Sequence, residues 1–240
     1  MNRRFVTAVA VALLAGACHV GSKAEDREPG PEVSRSYPVG AFDKLAVSGP
    51  YEVNVVSGGT PGVSAKGGSN LLDETEVVVE NGRLQIRSKK RNGIRFSWHG
   101  GKAVFTVNAA SLHGASIAGS GGINVDRVAG DFDGDVAGSG DLKVNAIEGG
   151  KIKLAIAGSG NVDATGKADS VDLSIAGSGD IRAGGLASRT AEVSIAGSGS
   201  VATHATESAD VSIMGSGDVE VTGGAKCKVS KAGSGNVRCG

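Results

Sequence analysis

Aromatic residues run out early in this chain. It holds five Phe, two Tyr and one Trp, and none follows Phe132. A core built on large rings is therefore excluded for the C-terminal half. Proline also stops early, with all five (Pro29, Pro31, Pro38, Pro50, Pro61) near the start. Charge has no sign, since 25 Lys and Arg balance 25 Asp and Glu. No global field steers the chain to nucleic acid or anionic lipid. Cysteine is limited to three. No apolar run reaches the ~20 residues that span a bilayer as a helix. HExxH, CxxC and GxSxG motifs are all missing. His19, His99, His113 and His204 are scattered without metal-ligand spacing.

What is abundant is glycine, 40 of 240 residues, against a usual share of ~7%. The hydrophobic share of 40% is too high for plain disorder. Glycine has no strict three-residue period, which excludes collagen. A β-rich chain with tight turns and small side chains remains.

The first residues read as an export address. Arg3 and Arg4 precede an apolar run from Phe5 to Leu14, then Ala15-Gly16-Ala17-Cys18. A basic start, a short apolar stretch and small residues before a break compose a signal peptide, here residues 1–17. Cys18 stands where a bacterial lipobox places its acylated cysteine. Ala15-x-Ala17 also suits ordinary signal peptidase, and both readings cut the same bond. The expectation is an exported protein, with lipid on Cys18 as its membrane anchor, in the cell envelope. Residues 18–36 lack apolar periodicity and read as a flexible tether.

The tetrapeptide Ala-Gly-Ser-Gly occurs at Ala118–Gly121, Ala137–Gly140, Ala157–Gly160, Ala176–Gly179, Ala196–Gly199 and Ala232–Gly235, with a variant at Met214–Gly217. Successive copies, the variant included, are spaced by 19, 20, 19, 20, 18 and 18 residues. Alternating segments flank each copy, such as Ile152-x-Leu154-x-Ile156 before one and Val162-x-Ala164 after it. Period two marks strands with one buried face. One such unit cannot bury its apolar face alone, but stacked units can. The predicted fold is all-β: a parallel β-helix or β-solenoid of seven coils over 111–240, roughly 34 Å long at ~4.8 Å per coil. Ile117, Val136, Ile156, Ile175, Ile195 and Ile213 should form an internal ladder. The serines of the turns should form another outside. Residues 37–110 are less regular but still β, with Asn81-Gly82 as a hairpin turn; they should cap or begin the solenoid. Cys227 and Cys239 fall at inward positions around the last turn and should form a disulfide, as export allows.

These repeats, with Phe42-x-x-Leu45-x-Val47-Ser48-Gly49-Pro50-Tyr51-x-Val53 and Asn81-Gly82-x-Leu84-x-Ile86, resemble a bacterial family known as "putative auto-transporter adhesin, head GIN domain". The resemblance covers residues 38–238. It implies an exported β-helical domain, often on a lipoprotein, and carries over no catalytic residues.

Several candidate sites compete with plainer readings. Gly119-Ser120-Gly121-Gly122 could cradle phosphate, but strands rather than a helix follow it. The column after the turn, Gly122, Asp141, Asn161, Asp180, Ser200, Asp218 and Asn236, could bind calcium, though its acids alternate with neutral residues and turn Asp and Asn commonly bond the backbone instead. Asp131, Asp133 and Asp135 share one outward face and suggest glycan cleavage; Lys151 and Lys153 on the next coil offer them cross-strand ion pairs. His113 falls at an inward position. Arg87, Lys89, Lys90, Arg91 and Arg95 form a basic segment for an anionic ligand, or simply a solvated loop. The leading expectation is a non-enzymatic envelope protein without cofactor or nucleic-acid partner. It would adhere, bind a surface glycan or protein, or act as a scaffold. The alternatives are a glycan-binding or glycan-cleaving β-helix and a periplasmic accessory protein with a protein partner.

Overall fold

The computed structural model describes residues 25–89, 96–98 and 102–240. Cys18 and the expected signal peptide lie outside the described residues. Strand dominates, as the alternating pattern requires.

The N-terminal part contains β1 (Glu25–Arg27), β2 (Glu32–Tyr37), β3 (Lys44–Ser48), β4 (Tyr51–Ser57), β5 (Gly62–Gly68), the short helix α1 (Ser69–Asp73), β6 (Thr75–Glu80), β7 (Arg83–Ser88), β8 (Phe96–Trp98) and β9 (Ala103–Ala109). β3 and β4 form a coil. β7 pairs with β3, and β9 with β4, both parallel. On their other sides β3 and β4 receive the next strands of the chain, so the β7–β9 coil lies beyond them at the N-terminal end. β6 folds onto β7 through Asn81 and Gly82, both at positive φ (52° and 74°), as a tight hairpin demands. β5 lies antiparallel between β2 and β9.

β2 shows that ordered structure starts before residue 37. Val33, Arg35 and Tyr37 alternate half-buried along it, and Arg35 meets Asp73 at 2.7 Å. The period of two was short and interrupted by charge, which is why the segment reads as a tether. Tyr51 and Phe105 pack edge to face at 5.5 Å, so the aromatics fill the first coils.

The repeats follow as β10 (Gly114–Gly119), β11 (Gly122–Val125), β12 (Val128–Ala129), β13 (Phe132–Gly138), β14 (Asp141–Glu148), β15 (Lys151–Gly158), β16 (Asn161–Lys167), β17 (Ser170–Gly177), β18 (Asp180–Gly197), β19 (Ser200–Gly215), β20 (Asp218–Thr222), β21 (Lys226–Ala232) and β22 (Val237–Cys239). Each coil has a strand before the Gly-Ser-Gly turn and a strand after it. A short third run, such as β12 against Val128's partner Ile147 in β14, closes the circuit. Pairing between successive coils is parallel; it keeps register through the strands before the turn and is broken by bulges in the strands after it. The result is a β-solenoid of about seven turns.

The inner ladder is continuous. Ile117 pairs with Val136, then Ile156, Ile175, Ile195 and Ile213, each no more than 2% exposed. Burying each branched side chain contributes on the order of 1.5–3 kcal/mol.

The turn explains its own sequence. Gly158 has φ 138°, and a Cβ on it would stand 2.2 Å from the carbonyl oxygen of Gly138 on the preceding coil. A Cβ on Gly160 would stand 2.2 Å from the Gly140 carbonyl oxygen. Coils stack so closely at this corner that neither glycine can carry a side chain. Between them Ser159 donates its backbone N–H to Gly138 at 2.8 Å. The same bond recurs from Ser178 to Gly158 and from Ser198 to Gly177. The serine side chains face water.

Cys227 and Cys239 form a disulfide between β21 and β22, with Cα atoms 6.6 Å apart. Cys227 is half-buried and Cys239 is exposed, so the bridge closes the last coil at its rim. His113 is exposed, contrary to the expected inward position. It precedes β10, where alternation has not yet begun, and Leu112 occupies the core instead.

Candidate binding surfaces

With the aliphatic side chains inside, chemistry is confined to the outer columns. On the sheet of β10, β13, β15 and β17, the column nearest the turn is alanine: Ala118, Ala137, Ala157 and Ala176, all exposed. The column beyond it is Ser116, Asp135, Ala155 and Ser174. The next carries charge: Gly114, Asp133, Lys153 and Asp172.

Asp133 and Asp135 stand out among these. Burial pushes the Asp135 carboxyl above the usual range, the Asp133 charge adds to that, and Arg83 partly opposes it. Asp133 and Lys153 are register partners, but no ion pair joins them. Asp131 instead accepts the backbone N–H of Lys151 at 2.7 Å. Asp131 is thus tied to the backbone of the next coil, while Asp133 and Asp135 stay close enough for their charges to interact.

The sheet of β11, β14, β16, β18, β19, β20 and β22 carries the Asp and Asn column. Its carboxylates bond the following coil. Asp180 Oδ1 accepts the backbone N–H of Ser200 at 3.2 Å. Asp218 Oδ1 accepts the backbone N–H of Asn236 at 2.9 Å and its Nδ2 at 3.0 Å. Asn161 Nδ2 donates to Asp141 Oδ1 at 2.8 Å. Backbone satisfaction accounts for the residue types here. Among the described residues, no group of three or more His, Cys, Asp or Glu could hold a metal ion.

The neighbouring column runs Lys143, Asp163, Arg182, Ala202, Glu220 and Arg238. One short residue stands among long polar ones. The gap over Ala202 opens a depression of about 380 Å³. Arg182 pairs with Asp180 on its own strand (3.2 Å) and with Asp163 on the coil away from Ala202 (3.6 Å). Glu220 and Arg238 carry no ion pair. Sequence reasoning missed this site, although stacking the repeats by their turns would have exposed the short residue in the column.

The basic segment divides. Arg87 Nε meets Glu76 at 2.7 Å and its Nη2 meets Glu80 at 3.4 Å. These carboxylates hold its guanidinium charged, with a pKa raised above the ordinary value. Lys89 Nζ donates to the Asp73 carbonyl. Lys90, Arg91 and Arg95 lie outside the described residues. At the N-terminal end Tyr37 faces a shallow hollow with Pro38, Val39 and Pro61. Burial raises the Tyr37 phenol, and Arg35 opposes the shift.

Solved structures share this architecture. A protein of Bacteroides fragilis described as a putative adhesin is 24% identical, with a TM-score of 0.81 over 89% of this chain and 99% of that one. One of Parabacteroides distasonis described as a putative lipid binding protein is 24% identical, with a TM-score of 0.76 over 90% and 100%. A putative adhesin of Parabacteroides merdae is 22% identical, with a TM-score of 0.69 over 90% and 100%. At these identities the likeness establishes the fold. No curated protein matches the chain. A family model matches residues 41–225, from the first coil through the turn after β20, and so the chain belongs to the family described as putative auto-transporter adhesin, head GIN domain.

Proposed function

We propose that this is a non-enzymatic, exported solenoid of the cell envelope that binds a surface ligand. The observation that carries the reading is the division of the coils into a closed aliphatic interior and regular polar columns outside. Many of the described acids bond neighbouring backbone or pair with Arg and Lys on adjacent strands, so the fold offers a long, rigid recognition surface. Membership of a family named for adhesion supports the same reading. Cys18, acylated after removal of residues 1–17, anchors the protein. Any anionic-ligand role of the basic segment falls mainly to Lys90, Arg91 and Arg95, because Arg87 and Lys89 already have partners.

The test is binding of the full chain to intact cells and isolated envelopes, with mass analysis of its N-terminal peptide. Saturable binding and a lipid-modified Cys18 are expected. Failure to bind either preparation contradicts the binding role, and an unmodified Cys18 contradicts the anchor.

A further inference from the structure

We propose that the depression over Ala202 is a saccharide subsite, an inference that rests on the binding role given above. Its walls are Arg182 and Glu220, in strands on either side of the Ala202 strand. Two interstrand spacings put their backbones roughly 9.6 Å apart. The volume of about 380 Å³ falls within the roughly 300–1,000 Å³ of small-molecule sites.

The chemistry of the walls selects the ligand. A sugar ring has hydroxyls that both donate and accept around its rim, and C–H groups on its faces. The depression supplies both kinds of partner. Glu220 accepts, Arg238 donates, and neither is engaged in an ion pair. The Ser200 hydroxyl can do either. The floor is the Ala202 methyl. Arg182 is held back by its two aspartates, so it borders the space without filling it. The carboxylate and guanidinium sit on successive coils in register, which suits a neutral hydroxyl-rich group better than a ligand of one charge. A planar carboxylate and a planar guanidinium also fix direction, which gives specificity. With a methyl floor and no ring to stack on, a single site binds weakly. Many anchored chains would add avidity.

The experiment measures binding of the full chain to immobilised dextran, mannan and galactan, beside intact envelopes. Wild type is compared with Ala202→Trp, which fills the space, and with Glu220→Gln, which keeps its shape. Ser194→Trp, in the later part of β18 that pairs with β17 before the turn, is the control. All four are checked for unchanged circular dichroism and melting. Binding of wild type to at least one polysaccharide is expected. It should fall tenfold or more in Ala202→Trp, fall severalfold in Glu220→Gln, and persist in Ser194→Trp. If Ala202→Trp alone misfolds, Glu220→Gln decides. Equal binding by wild type and the Ala202 and Glu220 variants overturns the site. Binding to envelopes with none to the polysaccharides overturns the saccharide assignment and leaves the binding role standing. Binding to neither overturns both.

Discussion

Ile213 and Lys231 are register partners on successive coils, yet the first continues the inner aliphatic ladder and the second ends it. Lys231 cannot bury its ammonium among isoleucines, and it donates to the Gly235 carbonyl at 2.7 Å instead. β21 pairs with β19 on one side only. A charge at an inward register position on such a strand opposes edge-to-edge pairing.

Lys231→Ile should therefore remove that protection. The variant is expected to self-associate at concentrations where the parent does not, seen by light scattering coupled to gel filtration. Identical masses for the two would show that the lysine has no such role.

The turn makes a sharper prediction at neighbouring positions. Gly158→Ala puts a Cβ 2.2 Å from the Gly138 oxygen at a φ of 138°. It should cost several kcal/mol, at or above the ~4–5 that marks exceptional single changes. Ser159→Ala removes an exposed hydroxyl and should stay within about 0.5 kcal/mol. Chemical denaturation of both variants checks the contrast.

Asp135 predicts a pH effect of defined sign. Its folded pKa is raised by burial and by Asp133. The folded state thus holds this proton more tightly than the unfolded chain, and stability falls as pH rises through the carboxylate range. Asp135→Asn should melt higher than the parent at neutral pH, with the gap closing in acid below that range. A gap that is absent at neutral pH, or that widens in acid, would contradict the account.

Reduction should loosen the last coil first. The Cys227–Cys239 bridge joins residues 12 apart, and loops of this size contribute ~3 kcal/mol. Stacked repeats couple mainly to their neighbours. Hydrogen exchange under reductant should quicken in β21 and β22 before β15 and β17. Uniform quickening would mean that the bridge stabilises the whole rod.

The regular coils were legible in the sequence because Gly-Ser-Gly fixes the phase of every strand beside it. The ladder from Ile117 to Ile213 follows from that phase alone. The order of the first coils was not legible. β7 and β9 come after β3 and β4 in the chain but stack on their far side, and no turn motif sets their register. His113 was misplaced because alternation was extended past the start of β10. The depression over Ala202 escaped because a half-buried, outward-facing alanine carries no signal until its column neighbours are known.

The most direct test of a binding rather than catalytic role is one assay with two readouts. The full chain is incubated with envelope glycans, and bound protein and new reducing ends are measured in the same wells. The account predicts saturable binding with no chain cleavage. New reducing ends that grow with time and vanish in Asp133→Asn or Asp135→Asn would contradict it.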